Sequence, residues 1–216
     1  MEKSSTYIAH TAILAILYNI GGGIKMEKYK VVAILGKSAA GKDTIQNWLV
    51  NTDADIKKIV SCTTRPKRDY EEDGKDYYFI SVEEFTYKLL EGSMLEAVSF
   101  KDNFYGSCLS ELDKNKINIA VFELNGIYAL LEDPRIDLMC IYIDVDDKVR
   151  LLRALKREQN PDCLKICERF LEENKMFADL SGFNYVVFNN SVDLEEPYFP
   201  EVLKVIKDFG QRFEIE

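Results

Sequence analysis

Histidine is almost missing from this chain of 216 residues: His10 is the only one. No Ser-His-Asp or Cys-His relay can be assembled from it, and no metal-ligand array stands out. What remains open is chemistry done by positioning and fixed charge. Cysteine is sparse as well. Cys62, Cys108, Cys140, Cys163 and Cys167 form an odd set with no disulfide-framework spacing, which fits a reducing, cytoplasmic setting. Cys163 and Cys167 fall four apart on an expected helix face, and without partner ligands that spacing reads as packing. Long apolar runs are missing too. Ile8 to Ile20 is the nearest approach, but His10, Thr11 and Asn19 interrupt it and it is too short to span a bilayer. There is no internal repeat and no low-complexity tract. With 28 Lys and Arg against 37 Asp and Glu, the formal net charge is −9. That balance argues against general nucleic-acid binding and against a polybasic membrane surface. An anionic substrate must then be held by local basic clusters.

The first such cluster lies between Lys30 and Leu49. The apolar run Val31-Val32-Ala33-Ile34-Leu35 reads as a buried parallel strand. Gly36-Lys37-Ser38-Ala39-Ala40-Gly41-Lys42-Asp43-Thr44 follows, and then Ile45, Trp48 and Leu49 fall at helical spacing. Strand, glycine-bounded loop, Lys and helix are the context in which G-x-x-x-x-G-K is a phosphate-binding loop. The glycines allow a tight turn, so that successive N–H groups and the helix N-terminus face one polyphosphate, while Lys42 adds a mobile positive charge. The pattern asks for Ser or Thr after the Lys, to hold magnesium. Here that residue is Asp43, with Thr44 next. A carboxylate is a hard oxygen ligand and can serve the same ion, at the cost of negative charge beside phosphate.

From Met26 onward strands and helices alternate, which predicts an α/β fold with a parallel sheet. Expected strands after the first are 57–61, 117–124, 137–144 and 185–189. Expected helices are 43–50, 126–131, 147–157, 162–178 and 200–209. Residues 1–25 read as an extension foreign to the fold, with Met26 as the natural start. The segment from Cys62 to Leu112 is rich in Tyr, Phe, Gly and charge, and reads as an insertion that builds a substrate site.

That insertion carries a second cluster. It opens Ser61-Cys62-Thr63-Thr64-Arg65-Pro66-Lys67-Arg68 and continues through Asp73-Gly74-Lys75-Asp76-Tyr77-Tyr78-Phe79. Glu96 follows the apolar pair Met94-Leu95, and then comes Asn103-Phe104-Tyr105-Gly106-Ser107. Arg65 and Arg68, fixed by Pro66, suit a forked grip on one phosphate. The hydroxyls of Tyr77 and Tyr105 are donors for the same group. Glu96 suits paired N–H donors on a base edge such as that of guanine.

Taken together, SxTTR-P-x-R, D-G-x-D-Y-x-F, an acid after an apolar pair and N-x-Y-G-S, in that order, resemble the guanylate kinases over essentially all of Lys30 to about Leu194. The resemblance implies an α/β P-loop fold, a three-layer parallel sheet core with an inserted GMP-binding subdomain and a helical lid. It divides the chain into a non-native or disordered extension (1–25), core with P-loop (26–60), monophosphate-binding insertion (61–112), core (113–152), lid (153–169) and core (170–216). It implies Arg65, Arg68, Tyr77 and Tyr105 around the phosphate of GMP, and Ser61, Glu96, Ser107 and Glu123 around guanine. Gly36, Ser38, Ala39, Ala40, Gly41, Lys42, Asp43 and Thr44 would hold ATP, with Asn189 on the adenine side. Lys42, Arg68, Arg157 and Arg169 would act on the transferring phosphoryl group. Arg153 is a looser match. On composition alone, the arginines at 153, 157 and 169 are ordinary surface-helix residues.

The implied reaction is phosphoryl transfer from ATP to GMP, and to dGMP, with Mg2+ accompanying ATP and a monomer or homodimer as the working form. Val121 stands where the family carries an acid near the metal, and Asp43 supplies one at the loop, so a charge swap is conceivable. Two alternatives stand beside this reading: a P-loop kinase of another small phosphorylated substrate, and a catalytically dead module binding phosphorylated peptides.

Overall fold

The computed structural model describes residues 28–69, 71–100, 102–157, 160–178, 185–188 and 198–211. In chain order the elements are β1 (Tyr29–Leu35), α1 (Lys42–Thr52), β2 (Ile56–Lys58), β3 (Cys62–Thr63), β4 (Tyr78–Phe79) and α2 (Val82–Leu90). Then come β5 (Met94–Phe100), β6 (Asn103–Cys108), a short 3-10 turn at Leu109–Glu111, β7 (Ile117–Val121) and α3 (Leu124–Glu132). The chain continues with β8 (Ile136–Asp144), α4 (Asp147–Arg157), α5 (Cys163–Met176), β9 (Tyr185–Phe188) and α6 (Phe199–Gln211). Five strands form one sheet in the order β2-β7-β1-β8-β9, with β8 and β9 parallel, and four form a second in the order β4-β3-β6-β5. No described helix is long and apolar enough to cross a membrane.

The described residues fall into two compact units. One is built from Val32–Lys57, Ile119–Phe122 and the chain from Met139 onward. Its centre is the apolar run of β1, where Val32 to Leu35 are wholly buried, as expected of a strand covered on both faces. Helix α1 turns Ile45 and Leu49 inward, and Trp48 packs against Phe199 of α6 with ring centroids 5.3 Å apart. Helix α6 buries Phe199, Val202, Ile206 and Phe209, the stripe of an amphipathic helix. Lys207 and Asp53 close its flank with a 2.6 Å ion pair.

The other unit contains Lys58–Asn118 and Glu123–Leu138. Its small sheet pairs β3 with β6 and β5 with β6 antiparallel, and β3 with β4 parallel. Cys62, Phe85, Met94 and Cys108 form its apolar centre, and Phe85 stacks on Phe104 at 5.5 Å. Helix α2 starts where Ser81 Oγ accepts the N–H of Glu84 at 3.1 Å.

Three sequence expectations are corrected. Strand β2 lies at Ile56–Lys58, short of the expected 57–61, because the chain has to leave the sheet to begin β3 at Cys62. Strand β7 stops at Val121: Glu123 takes an extended cap conformation and α3 opens at Leu124, so the apolar Phe122 and Leu124 prolonged the strand pattern beyond its end. Cys163 and Cys167 are exposed on α5, so packing does not explain their spacing. The expectations for residues 1–25 and Asn189 lie outside the described residues.

Candidate functional site

The loop between β1 and α1 is bent by its backbone. Gly36 adopts φ +151°, and a Cβ there would come within 2.7 Å of the Ile143 carbonyl oxygen. Ala39 has φ +61°, and Gly41 enters α1 at φ +94°. The Ala40 N–H closes the turn on the Lys37 carbonyl at 3.2 Å. Lys42 folds back over the loop it follows, donating to the carbonyls of Gly36 at 2.6 Å and Lys37 at 3.2 Å. Asp43 is exposed in the first turn of α1, a favourable place for a carboxylate in the helix dipole.

Two helices hold this loop from outside. Arg150 of α4, wholly buried, donates to the Ser38 carbonyl at 3.1 Å and to Asp147 at 2.6 Å, with its guanidinium 4.1 Å from the centre of the Phe170 ring. This bond holds the Asp147 carboxyl below its usual range. Arg153 donates to the carbonyls of Ala39 at 3.2 Å and Ala40 at 3.3 Å. It is buried, contrary to its expected place on a helix surface, and burial lowers its pKa. Glu173 of α5 accepts from the N–H and the hydroxyl of Ser38. A cavity of about 210 Å³ opens beside the loop, lined by Ser38 and Ala39 together with Arg157, Lys165 and Arg169. Arg157 and Arg169 are exposed and share that cavity with the loop tip. Three cationic side chains, Arg157, Lys165 and Arg169, thus line the cavity against one carboxylate, Asp162, which pairs with Lys165 at 3.1 Å.

The other unit gathers the remaining expected residues in two groups. In the first, Glu96 on β5 faces Ser107 on β6 and is 5% exposed. Ser107 Oγ and Ser61 Oγ lie 2.9 Å apart. A Cβ on Gly126, at the start of α3, would meet Glu96 Oε2 at 3.1 Å, so the missing side chain gives the carboxylate its room. Burial raises the Glu96 carboxyl to about 7, against hydrogen bonds from Ser107 that favour the ionised form; the charge of Glu123 adds to the rise.

In the second group Arg65 lies 5.2 Å from the centre of the Tyr77 ring and 5.4 Å from that of Phe79, and the Tyr77 and Tyr105 rings meet edge to face at 6.0 Å. Glu71 organises the turn. It takes Arg65 Nη1 at 2.7 Å on Oε2, Arg65 Nη2 on Oε1 and the N–H of Arg68 at 2.9 Å. The Arg65 fork holds the Glu71 carboxyl down at about 2. Arg65 is therefore held by a carboxylate, and Arg68 beside it is exposed. Glu71, Arg150 and Glu173 belong to the site without a motif that marks them in the sequence. The local signals are the R-P-K-R-x-x-E spacing that sets Glu71 six residues beyond Arg65 and the Asp147–Arg150 pair three apart on one helix. Among the described residues no group of three His, Cys, Asp or Glu side chains could hold a metal ion.

Comparison with known proteins adds an independent line. A family model described as guanylate kinase matches residues 28–204. Guanylate kinase of Chlamydia felis (strain Fe/C-56) is 36% identical over 182 residues, covering 82% of this chain and 86% of that protein. Guanylate kinase of Caldanaerobacter subterraneus subsp. tengcongensis is 32% identical over 167 residues, covering 76% and 81%. The crystal structure of guanylate kinase from Anaplasma phagocytophilum matches the fold with a TM-score of 0.62 at 24% identity, over 87% of this chain and 89% of that one.

Proposed function

The chain belongs to the guanylate kinase family, and we propose that its two residue groups divide the phosphorylation of GMP by ATP between donor and acceptor. The terminal phosphoryl group of ATP passes to the phosphate oxygen of GMP, giving ADP and GDP. The attacking oxygen is already anionic, so no general base is required, and the rate comes from alignment and from positive charge on the group in flight. The near-absence of histidine is in keeping with that demand.

On the donor side, the amides from Ser38 to Lys42 and the α1 N-terminus cradle the ATP phosphates. Lys42 leaves the Gly36 and Lys37 carbonyls to meet the phosphates, and Arg157 and Arg169 reach the transferring group from the cavity they line beside the loop. Magnesium enters with the nucleotide. Bound with ATP, the ion would be held largely by phosphate and water, as is common for it in kinases. Asp43 and Thr44, at the exit of the loop, are the side chains suited to complete its shell. When bound, the ion neutralises phosphate charge as the bond to the leaving group lengthens.

On the acceptor side, Glu96 is the observation that carries the choice of guanine. A buried carboxylate between Ser61, Ser107 and Gly126 accepts two neighbouring N–H donors, which guanine offers on its base-pairing edge and adenine, cytosine and uracil do not. Arg65, Arg68, Tyr77 and Tyr105 then hold the phosphate of GMP, with Arg65 kept in place by Glu71. Lys42 and the glycine-bounded loop, kept despite Asp43 in the place of Ser or Thr, favour a kinase over a phosphopeptide-binding module without chemistry. The test is a coupled assay of ADP release with GMP, AMP, UMP or CMP as acceptor. Turnover with GMP alone is expected; equal turnover with another monophosphate would overturn the assignment of Glu96.

A further inference from the structure

The phosphate-binding loop already has an anion on it, and the anion belongs to the protein. Ser38 donates its backbone N–H to Glu173 Oε1 at 2.9 Å, and its hydroxyl to the same oxygen. The second oxygen of Glu173 accepts from Arg150 Nη1 at 3.0 Å. The next residue, Asn174, accepts from Lys37 Nζ at 2.7 Å and donates to Asp147 at 2.9 Å. Two consecutive side chains of α5 therefore hold two consecutive residues of the loop. The Glu173 side chain is only 15% exposed and Arg150 is wholly buried, so the contact is made largely out of water, where charge-assisted bonds are strong.

A carboxylate is an unexpected neighbour for a loop whose amides and lysines are arranged for phosphate. Its chemistry is that of the ligand: an oxyanion accepting from a loop N–H inside a positive field. We propose that Glu173 is an internal anionic latch on the phosphate-binding loop, displaced when the phosphate chain of ATP arrives. The inference rests on the reading above that this loop holds ATP. Without nucleotide, the latch satisfies the Ser38 N–H and Arg150. With nucleotide, a second anion enters the same field, and the like charges repel at close range. Arg150 keeps the Ser38 carbonyl and Asp147 as partners after release, so the loop stays shaped while Glu173 leaves. Glu173 lies one helical turn beyond Arg169, so the arrival of ATP frees the helix that carries an arginine of the phosphoryl-transfer site.

The experiment is calorimetric binding of MgATP and of inorganic tripolyphosphate to the full chain, as wild type, Glu173→Gln and Glu173→Asp. Glu173→Gln removes the competing charge. Glu173→Asp keeps the charge but draws it back from Ser38 by one methylene. Both variants are expected to bind tripolyphosphate and MgATP about 3- to 10-fold more tightly than wild type, as fits the loss of one competing charge-assisted contact, with the KM for GMP unmoved. A role in support of the fold alone would weaken nucleotide binding instead. Unchanged or weaker binding in the variants, with wild type still phosphorylating GMP, overturns the latch and leaves the kinase reading intact. If wild type itself binds neither tripolyphosphate nor MgATP, the loop assignment fails and the latch falls with it. Should one variant not fold, the other decides the question.

Discussion

Glu96 reaches to within 3.1 Å of the place where Gly126 would carry a Cβ, so a strand carboxylate and a helix glycine define one site between them. Gly126→Ala is favoured by helix propensity, by up to about 1 kcal/mol, yet presses a methyl group onto Oε2. Glu96 is buried and tied to Ser107, so it has little room to yield. The expected outcome is a melting temperature equal to or above that of wild type, with the KM for GMP raised about tenfold or more. Steady-state kinetics beside a thermal melt checks both halves. An unchanged KM would show that Glu96 moves aside freely.

The same carboxylate makes acceptor binding depend on pH. Its pKa in the folded chain is about 7 against an ordinary 4.5, raised first of all by burial. Guanine requires the ionised form, so kcat/KM for GMP is expected to fall about tenfold per pH unit below that value. In stability the sign is opposite to that of a salt-bridged acid. The unfolded chain loses this proton first, so stability declines as pH rises from about 4.5 to about 7 and is level beyond. At pH 8 the ionised buried group costs on the order of 3 kcal/mol. Glu96→Gln should therefore melt higher than wild type at pH 8 while losing affinity for GMP by about 10- to 100-fold.

Glu71 contributes in the other direction. Its pKa is held down at about 2 by the Arg65 fork, so its contribution is complete above the ordinary 4.5 and is lost as pH falls from there towards 2. Both side chains are nearly buried, at 12% exposure for Arg65 and 7% for Glu71. Glu71→Gln is expected to lower stability by about 2 kcal/mol at pH 7 and by little at pH 2, as read by urea unfolding at the two pH values. The KM for GMP should rise as well, since Arg65 loses the partner that holds it beside Tyr77.

Arg169 is exposed, so its removal tests chemistry apart from folding. Arg169→Met should leave the melting temperature within about a degree of wild type, in line with surface substitutions that touch no core group. The kcat is expected to drop by about 10²- to 10³-fold through lost charge stabilisation of the phosphoryl group. Single-turnover measurement on the preformed ternary complex separates this loss from binding. A loss confined to KM would remove Arg169 from the reacting group.

Much of the fold and of the site is legible in the sequence. The strand, loop and helix around Lys42 declare themselves because a buried parallel strand is apolar throughout and the glycines bracket a fixed number of residues. Glu96 is legible because an acid after Met94-Leu95 has nowhere wet to go. Boundaries slipped where apolar residues continue past the last ladder bond, as at Phe122 and Leu124. The supports of the site were harder to see. Glu173 meets Ser38 across 135 positions of sequence, and Arg150 meets it across 112, so no local pattern reports either contact. Arg150 and Arg153 carry the spacing of a solvated helix face and are nonetheless buried, since both donate to backbone carbonyls of the loop, which leave no mark in the sequence, and Arg150 to Asp147 and Glu173 as well.

The uneven burial of the thiols has a practical use. Cys62, Cys108 and Cys140 are shielded, whereas Cys163 and Cys167 stand open on α5. A maleimide dye given to the native protein should therefore settle on the same helix that bears Arg169 and Glu173, with no engineered cysteine needed. The molecule comes supplied with its own attachment points for watching that helix respond, in real time, as each nucleotide is mixed in.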